Sequence, residues 1–312
     1  MTYVWEKIVH NTTHFLKREN CANQRGPEMK FSFNPKVLSA IGAAVFISLA
    51  TTAPADELSD RVNSGEPIRL GFATAIPWAY PGDNGEPLGF VNALTLVVLE
   101  EMGITNYETS VNEWAGLIPG LQANRYDIIT GGMYILKSRC ENINFSDPIG
   151  LFGDAMLVPA GNPQGIHNYQ DVVKTGATLV TGAGFNTVEA AKKEGVPDGQ
   201  MMLVAGEVEI LAAMKAGRAD AAVQTFFGAK EHVDKSDGQF EVTDPADMPE
   251  WTQNWVGIGM RKSDTDFLAA FNEAMSKVIG GEKWMAAVAP YGYTEFQLPG
   301  DDASTEYACA NR

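Results

Sequence analysis

Short apolar runs alternate along the chain with longer segments whose apolar residues recur at helical spacing, and this alternation is typical of an α/β fold. In segment 89–102, for example, Val91, Leu94, Val98 and Met102 would share one face of a helix. The pattern predicts strands over residues 68–73, 127–130, 179–181 and 221–224, and helices over residues 89–102, 117–124, 187–194, 207–216, 265–279 and 284–288.

Two further runs, residues 151–159 and 256–260, are apolar and extended in character. We predict that each run carries the chain from one lobe of the protein to another. Two crossings would form a hinge, and a hinge between two lobes would leave a cleft between them.

An export signal is predicted at the start of the chain. Residues 37–50 form an apolar run with Lys30 and Lys36 before it and the small-residue site Ala53-Pro54-Ala55 after it. The run is shorter than the roughly 20 residues that a membrane span requires. We expect residues 1–55 to be a leader cleaved after Ala55, with a buried helix or membrane anchor as the alternative. Residues 1–28 precede Met29, a typical signal-peptide start, so we expect an over-extended start codon.

Composition and charge narrow the classes of partner. The chain is 45% hydrophobic and 20% charged, as soluble globular proteins are. Loss of the leader removes six basic and three acidic residues and changes the formal net charge from −16 to −19. Nucleic acid is therefore not expected as a partner, because phosphate binding requires a basic surface. The sequence shows no metal-ligand spacing, phosphate loop or Ser-His-Asp order, so we expect no metal, no cofactor and no enzymatic activity.

Two cysteines, Cys140 and Cys309, lie beyond the leader. An even count in an exported protein predicts a disulfide between them. Two buried free thiols are the alternative.

The strongest candidate for a binding site is the stretch from residue 131 to residue 150. Two glycines follow a predicted buried strand, and then come Tyr134 and Arg139. Ligands of open α/β sheets bind beyond the carboxyl ends of the strands. A guanidinium matches a carboxylate with two parallel hydrogen bonds. We therefore predict that Arg139 binds an acid group of a ligand, the alternative being a solvated surface arginine.

This stretch resembles the amino-acid-type solute-binding proteins of bacterial ABC importers (family 3), and within them the ectoine/hydroxyectoine-binding proteins most. The similarity extends over most of the chain beyond residue 56 and includes the motifs at residues 117–121, 161–163, 217–221, 290–293 and 298–301.

The resemblance implies a two-lobed periplasmic binding protein-like fold (type II, Venus flytrap) with two hinge crossings. Lobe 1 would comprise residues 56–150 and 260–312, and lobe 2 residues 151–259. It also implies a monomer in the periplasm that delivers a small molecule to the membrane permease of an ABC importer.

Three aromatic residues, Trp78, Trp114 and Tyr134, lie near predicted strand ends in the first lobe. Ectoine-binding relatives place aromatic residues at the matching positions and enclose the delocalised cation of the ligand between the rings. The resemblance therefore implies a cation–π box here, and packing in the core is the alternative for each ring.

Two departures from the family pattern concern the ligand's cation. Thr225 stands where relatives that bind α-amino acids carry an Asp, and Thr74-Ala75 stands where ectoine-binding relatives carry an acidic residue. Without these acids, a cation that lacks N–H groups is favoured, because a primary ammonium requires acceptors when it is buried.

In the second lobe, Phe185, Asn186 and Thr187 precede or begin a predicted helix. Backbone N–H groups at a helix N-terminus favour anions, so this loop is a candidate cap for the ligand's carboxylate. Asn186 or Thr187 could equally be an ordinary N-cap, and Phe185 could be a fourth aromatic wall.

The sequence therefore predicts the binding protein of an ABC importer for an ectoine-like zwitterionic compatible solute. The alternatives are a methylated betaine, a sulfonium zwitterion or a polar amino acid. A flytrap-fold dehydratase is the alternative from a different functional class.

Overall fold

The computed structural model describes residues 56–312, so the expected leader and its cleavage site lie outside the described part. Within residues 56–312, no helix combines the length and the apolar character that crossing a bilayer would require.

The first sheet contains parallel and antiparallel strands. Its strands, numbered in chain order with those of the second sheet, are β1 (Ile68–Phe72), β4 (Tyr107–Val111), β5 (Ile128–Tyr134), β6 (Asn144–Phe145), β7 (Gly150–Phe152) and β13 (Asn254–Met260). The order is β4-β1-β5-β13-β6, with β7 also paired to β13. Strands β1, β4 and β5 run parallel, whereas β13 is antiparallel to its neighbours. A separate hairpin joins β2 (Tyr80–Pro81) to β3 (Pro87–Leu88).

The second sheet has the order β10-β9-β11-β8-β12. Its strands are β8 (Asp154–Pro159), β9 (Leu179–Gly182), β10 (Met201–Val204), β11 (Ala221–Thr225) and β12 (Phe240–Val242). Each sheet is covered by helices on both faces. In β8, for example, Met156 packs into the apolar cluster on one face of the second sheet, and the next residue, Leu157, packs into the cluster on the other face.

Eleven helices cover the two sheets within the described residues. They are α1 (Glu57–Asn63), α2 (Phe90–Glu101), α3 (Leu117–Gln122), α4 (Lys137–Cys140), α5 (Tyr169–Thr175), α6 (Asn186–Lys193), α7 (Glu207–Lys215), α8 (Phe226–Asp234), α9 (Thr265–Val278), α10 (Glu282–Val288) and α11 (Thr305–Asn311).

The chain passes between the sheets at two places. Gly153 separates β7 of the first sheet from β8 of the second, and the return crossing precedes β13. Because β13 pairs with β5 and β7, residues 254–259 hydrogen-bond with first-lobe strands, although the sequence-based boundary assigned them to the second lobe. The second crossing therefore comes earlier in the chain than the apolar run suggested.

Cys140 and Cys309 form a disulfide in the structure, as predicted. The bridge joins α4, which carries Arg139, to the C-terminal helix α11.

A buried carboxylate joins four segments of the first lobe. Asp127 is fully buried and contacts three arginines, with Arg69 Nη2 at 2.7 Å, Arg61 Nη1 at 2.9 Å and Arg261 Nη2 at 3.2 Å from its Oδ1. Burial alone would raise the pKa of Asp127, but the hydrogen bonds from Arg69 and the charges of Arg69 and Arg61 outweigh it and hold the pKa below its usual value.

We predict that Asp127→Asn lowers the free energy of unfolding by about 3–5 kcal/mol at pH 7, because three arginines lose their shared counter-charge. The native pKa is depressed, so the stabilisation is present above the unfolded-state pKa and is lost as the pH falls through the native one. Urea denaturation of wild type and Asp127→Asn should show a smaller difference in unfolding free energy at acidic pH than at pH 7. The exposed Asp83→Asn is the control, and an equal loss at both pH values would contradict the assignment.

Candidate ligand-binding cleft

Two connected chambers lie between the lobes. The inner chamber encloses about 30 Å³ and is lined by Ala75, Trp78, Trp114, Gly131, Gly132, Tyr134, Phe185, Asn186, Glu207 and Thr225. The outer chamber encloses about 470 Å³ and shares Ala75, Trp114, Phe185 and Glu207 with the inner one. Small-molecule sites typically enclose about 300–1,000 Å³, so the outer chamber has the size of a ligand site, whereas the inner one holds about two water molecules.

Trp78 lines the inner chamber. Its ring is 4% exposed and packs against Phe90 and Phe152, with ring centroids 4.7 and 4.6 Å away. It also lies against the backbone of Gly132, where φ is +79° and an added Cβ would collide with the indole. Its Nε1 donates to Thr225 Oγ1 across the cleft at 3.1 Å. Trp78 therefore serves both the first-lobe core and the cleft.

Arg139 reaches the cleft from α4 and is 7% exposed. Its Nη1 donates to the Tyr134 carbonyl at 3.0 Å and its Nη2 to the Gly184 carbonyl of the second lobe at 3.1 Å. The guanidinium lies 5.8 Å from the centroid of the Trp114 ring. No carboxylate of residues 56–312 lies within ion-pair distance of it. Burial lowers the pKa of Arg139 to about 10, which leaves it protonated at neutral pH.

The Gly184 carbonyl is a shared acceptor between the lobes. Trp114 Nε1 donates to it at 3.0 Å, next to the bond from Arg139. The rings of Trp114 and Phe185 meet edge to face across the cleft, with centroids 5.3 Å apart. The loop before α6 thus presents a carbonyl to the first lobe, whereas the sequence suggested that its N–H groups would cap a ligand's carboxylate.

A second buried acid lies behind the inner chamber. Asp154, the first residue of β8, is fully buried, and its Oδ2 accepts from the Asn186 amide at 2.8 Å. Its Oδ1 and the hydroxyl of Tyr134 are also buried, and they lie near enough to shift each other's pKa without the geometry of a hydrogen bond. Burial raises the pKa of Asp154 to about 7, against the lowering effect of the Asn186 hydrogen bond.

Glu207 is the acidic residue that lines both chambers. It is the first residue of α7, and its side chain is 12% exposed. A Cβ added at Gly228 would lie 3.3 Å both from Glu207 Oε1 and from Thr225 Oγ1, so these two oxygens face the same glycine. The cleft therefore has a carboxylate beside Thr225, although Thr225 itself is not acidic.

Six of the eight predicted ligand-binding residues line the inner chamber, namely Trp78, Trp114, Tyr134, Phe185, Asn186 and Thr225. Arg139 contacts its wall through Trp114 and Tyr134. Thr187 lies differently: it is fully buried and its hydroxyl pairs with that of Thr181 at 2.5 Å inside the second lobe. Neither Asn186 nor Thr187 caps α6, whose N-cap is Phe185.

Sequence reasoning missed Glu207 and Asp154. Glu207 comes soon after the end of β10, but the sequence pattern did not predict β10, so the strand-end argument that selected Arg139 could not reach Glu207. Asp154 is a single carboxylate inside a predicted apolar crossing, and a charge in such a run is itself a signal.

Residues 68–292 match the profile of the bacterial extracellular solute-binding proteins, family 3. The chain belongs to this family. A probable amino-acid ABC transporter periplasmic-binding protein, y4tE of Sinorhizobium fredii, is 29% identical over 281 residues, which cover 88% of this chain and 93% of that protein. The L-cystine-binding protein TcyJ of Escherichia coli K12 is 24% identical over 262 residues, 80% of this chain and 95% of that one.

Among solved structures, EhuB in complex with hydroxyectoine superposes with a TM-score of 0.71 at 24% identity, covering 82% of this chain and 98% of that one. This likeness shows the fold. The family-3 assignment and the two-lobed fold predicted from the sequence are confirmed. The relatives are transport proteins that bind solutes, so this solute-binding protein is a binder and not an enzyme.

We predict that Asp154 makes this solute-binding protein lose stability as the pH rises. Its native pKa is raised, so the stabilisation is present below the unfolded-state pKa and is lost as the pH rises through about 7. Between pH 4 and pH 8 the free energy of unfolding of wild type should fall more than that of Asp154→Asn, by on the order of 2–4 kcal/mol.

Urea denaturation across this range, with Asp83→Asn as the exposed control, measures the difference. Parallel pH profiles for wild type and Asp154→Asn would show that Asp154 is ionised in the native state without penalty.

Proposed function

We propose that this family-3 protein captures a small zwitterionic solute in the cleft and delivers it to the permease of an ABC importer. Arg139 binds the acid group of the solute, and the aromatic side chains around Trp78 and Trp114 enclose its cation. The protein acts in the periplasm, after cleavage of the leader at Ala55, and works as a monomer.

The buried guanidinium of Arg139 is the observation that carries this proposal. A buried charge normally has a partner of opposite sign, and within residues 56–312 only carbonyl oxygens accept from Arg139. A ligand carboxylate would supply the missing negative charge through two charge-assisted hydrogen bonds. The guanidinium is held in place by Tyr134 and by the neighbouring disulfide, so it is preorganised for this role.

The aromatic walls suit the other end of a zwitterion. Trp78, Trp114, Tyr134 and Phe185 all line the inner chamber. Because this chamber encloses only about 30 Å³, a cation reaches the rings only after the lobes separate. Over the ring faces it would gain roughly 0.5–2 kcal/mol per ring, and more where it is shielded from water.

Ligand entry requires the lobes to separate. In the closed arrangement described here, Arg139 and Trp114 donate to Gly184, and Trp78 donates to Thr225. To bind Arg139, an incoming carboxylate must replace the Gly184 carbonyl as the acceptor of its hydrogen bond. The lobes then close again over the solute, and only a higher affinity for the closed form can drive that shift.

The ligand class follows the chemistry of two relatives. EhuB was solved with hydroxyectoine and TcyJ is named for L-cystine, and both ligands are zwitterions. An ectoine-like compatible solute remains our first candidate, with a polar amino acid as the alternative. Methylated betaines and sulfonium zwitterions are favoured if the cleft has no acid, because positions 74, 75 and 225 lack the acidic residues of relatives. Glu207, however, supplies an acid to the lining of the cleft.

We predict that Arg139→Ala weakens binding of the solute by at least about 100-fold, since a bidentate charge-assisted pair to a buried carboxylate is lost. A thermal-shift screen with ectoine, hydroxyectoine, betaines, sulfonium zwitterions and amino acids identifies a ligand, and calorimetry measures its affinity.

The exposed Arg125→Ala is the matched control and should bind like wild type. Arg139→Lys keeps the charge, loses the planar fork, and should fall between the two. Wild-type affinity in a folded Arg139→Ala protein would refute the assignment.

A further inference from the structure

We propose that Glu207 accepts hydrogen bonds from the cation of the solute and thereby selects zwitterions whose cation carries N–H groups over fully methylated ones. This inference rests on the proposed function and specifies the class of ligand at the same site.

Glu207 lies where the two chambers meet. It lines the inner chamber together with Trp78 and Thr225 and the outer chamber together with Trp114 and Phe185. It belongs to the second lobe, whereas Arg139 belongs to the first. A zwitterion held between the lobes can therefore meet a positive side chain on one side and a carboxylate on the other.

Among residues 56–312, none of the side chains in contact with Glu207 is a cation at neutral pH. The Gln224 amide is assigned with its nitrogen toward Glu207 Oε2, because its oxygen then accepts from the Ala229 N–H at 3.2 Å and from His232 Nδ1 at 2.8 Å. His232 Nε2 lies 3.7 Å from Oε2, but burial lowers the pKa of His232 to about 4, so it is neutral at neutral pH. No Lys or Arg of residues 56–312 forms an ion pair with Glu207.

The chemistry of the ligand follows from that unbalanced carboxylate. An ammonium, amidinium or guanidinium N–H forms a short charge-assisted hydrogen bond with it. A trimethylammonium or sulfonium group has no N–H, so it would cover the carboxylate from water and leave an acceptor unsatisfied, which is penalised in a buried site.

The outer chamber extends this preference beyond Glu207. Glu113 from the first lobe and Glu209 from α7 also line it, and its described lining contains no Lys or Arg. The chamber favours a positive group by its charge and has room for one by its volume.

Binding should depend on pH through this carboxylate. Burial raises the pKa of Glu207 to about 8. The charged or titratable groups around it are His232 from α8, Glu209 from its own helix and Glu113 across the cleft. A cation that binds the ionised form displaces its proton, so affinity for N–H-bearing cations should increase as the pH rises from 6 to 8.5.

The test compares ligands that share a skeleton and differ in N–H groups. L-Proline is compared with proline betaine, glycine with glycine betaine, and ectoine and L-arginine extend the N–H-bearing set. Isothermal titration calorimetry of the mature protein measures each affinity. We expect the N–H-bearing member of a pair to bind at least about 10-fold more tightly.

Glu207→Gln removes the charge and keeps the shape. It should weaken the N–H-bearing ligands at least about 10-fold, reduce the preference within each pair, and make binding less dependent on pH. Glu282→Gln is the matched control, because Glu282 is also the first residue of a helix with a glycine N-cap and is exposed outside the cleft. Titrations in two buffers of different ionisation enthalpy should show that wild type releases about one proton more near pH 7 than Glu207→Gln does.

The outcomes separate this inference from the proposed function. Tighter binding of the betaines, or unchanged affinity and proton release in Glu207→Gln, overturns the inference, and the proposed function stands if Arg139→Ala still abolishes binding. Unchanged binding in Arg139→Ala overturns the proposed function itself.

Discussion

The cleft depends on two buried ionisable groups, the guanidinium of Arg139 and the carboxyl group of Glu207, and no charged side chain of residues 56–312 forms an ion pair with either of them at neutral pH. Arg139 is charged at neutral pH, whereas burial raises the pKa of Glu207 to about 8, so Glu207 becomes a carboxylate only when the pH rises or a cation binds. The Arg139 guanidinium donates only to carbonyls, and Glu207 is next to a neutral histidine and a glutamine. An unpaired buried charge is costly to a folded protein. A guanidinium on one lobe and an acid on the facing lobe that a bound cation can ionise match the two ends of the zwitterionic solute that we propose, and this match explains the cleft better than its aromatic walls do alone.

The rest of the structure holds these charges in place. The Asp127 cluster joins α1, β1, β5 and β13 at one end of the first lobe, and the Cys140–Cys309 disulfide ties the Arg139-bearing helix to the C-terminus. In the second lobe, α7 presents Glu207 at the end of a sheet. The chain crosses between the sheets at residue 153 and before residue 254, and a hinge motion that closes the cleft would bend the chain at these two places.

The elements that the sequence predicted correctly are those that local hydrophobic periodicity determines. Strands β1, β9 and β11 and helices α2, α7 and α9 fall where periodicity placed them, and Arg139 was found because it follows a buried strand. Strand β4 was missed, since none of its five residues is fully buried and its apolar residues Tyr107 and Val111 remain exposed. The segment forms a strand by pairing with β1 at the sheet edge. Glu207 was missed because the acid was sought at Thr225, and only the fold shows that α7 lies beside that position.

Under the proposed function, the placement of Arg139 and Glu207 on different lobes also determines at which step a ligand is selected. A solute that binds Arg139 alone contacts the first lobe and gains little from closure, so it leaves the open and closed populations nearly unchanged. A solute that also satisfies Glu207 gains its second ion pair only when the lobes meet, and that gain is the differential affinity that closure requires. A methylated betaine could therefore dock on the guanidinium and the rings and still fail to hold the lobes together. Selectivity in this cleft would then reside in closure, with the first docking step open to acids of many kinds.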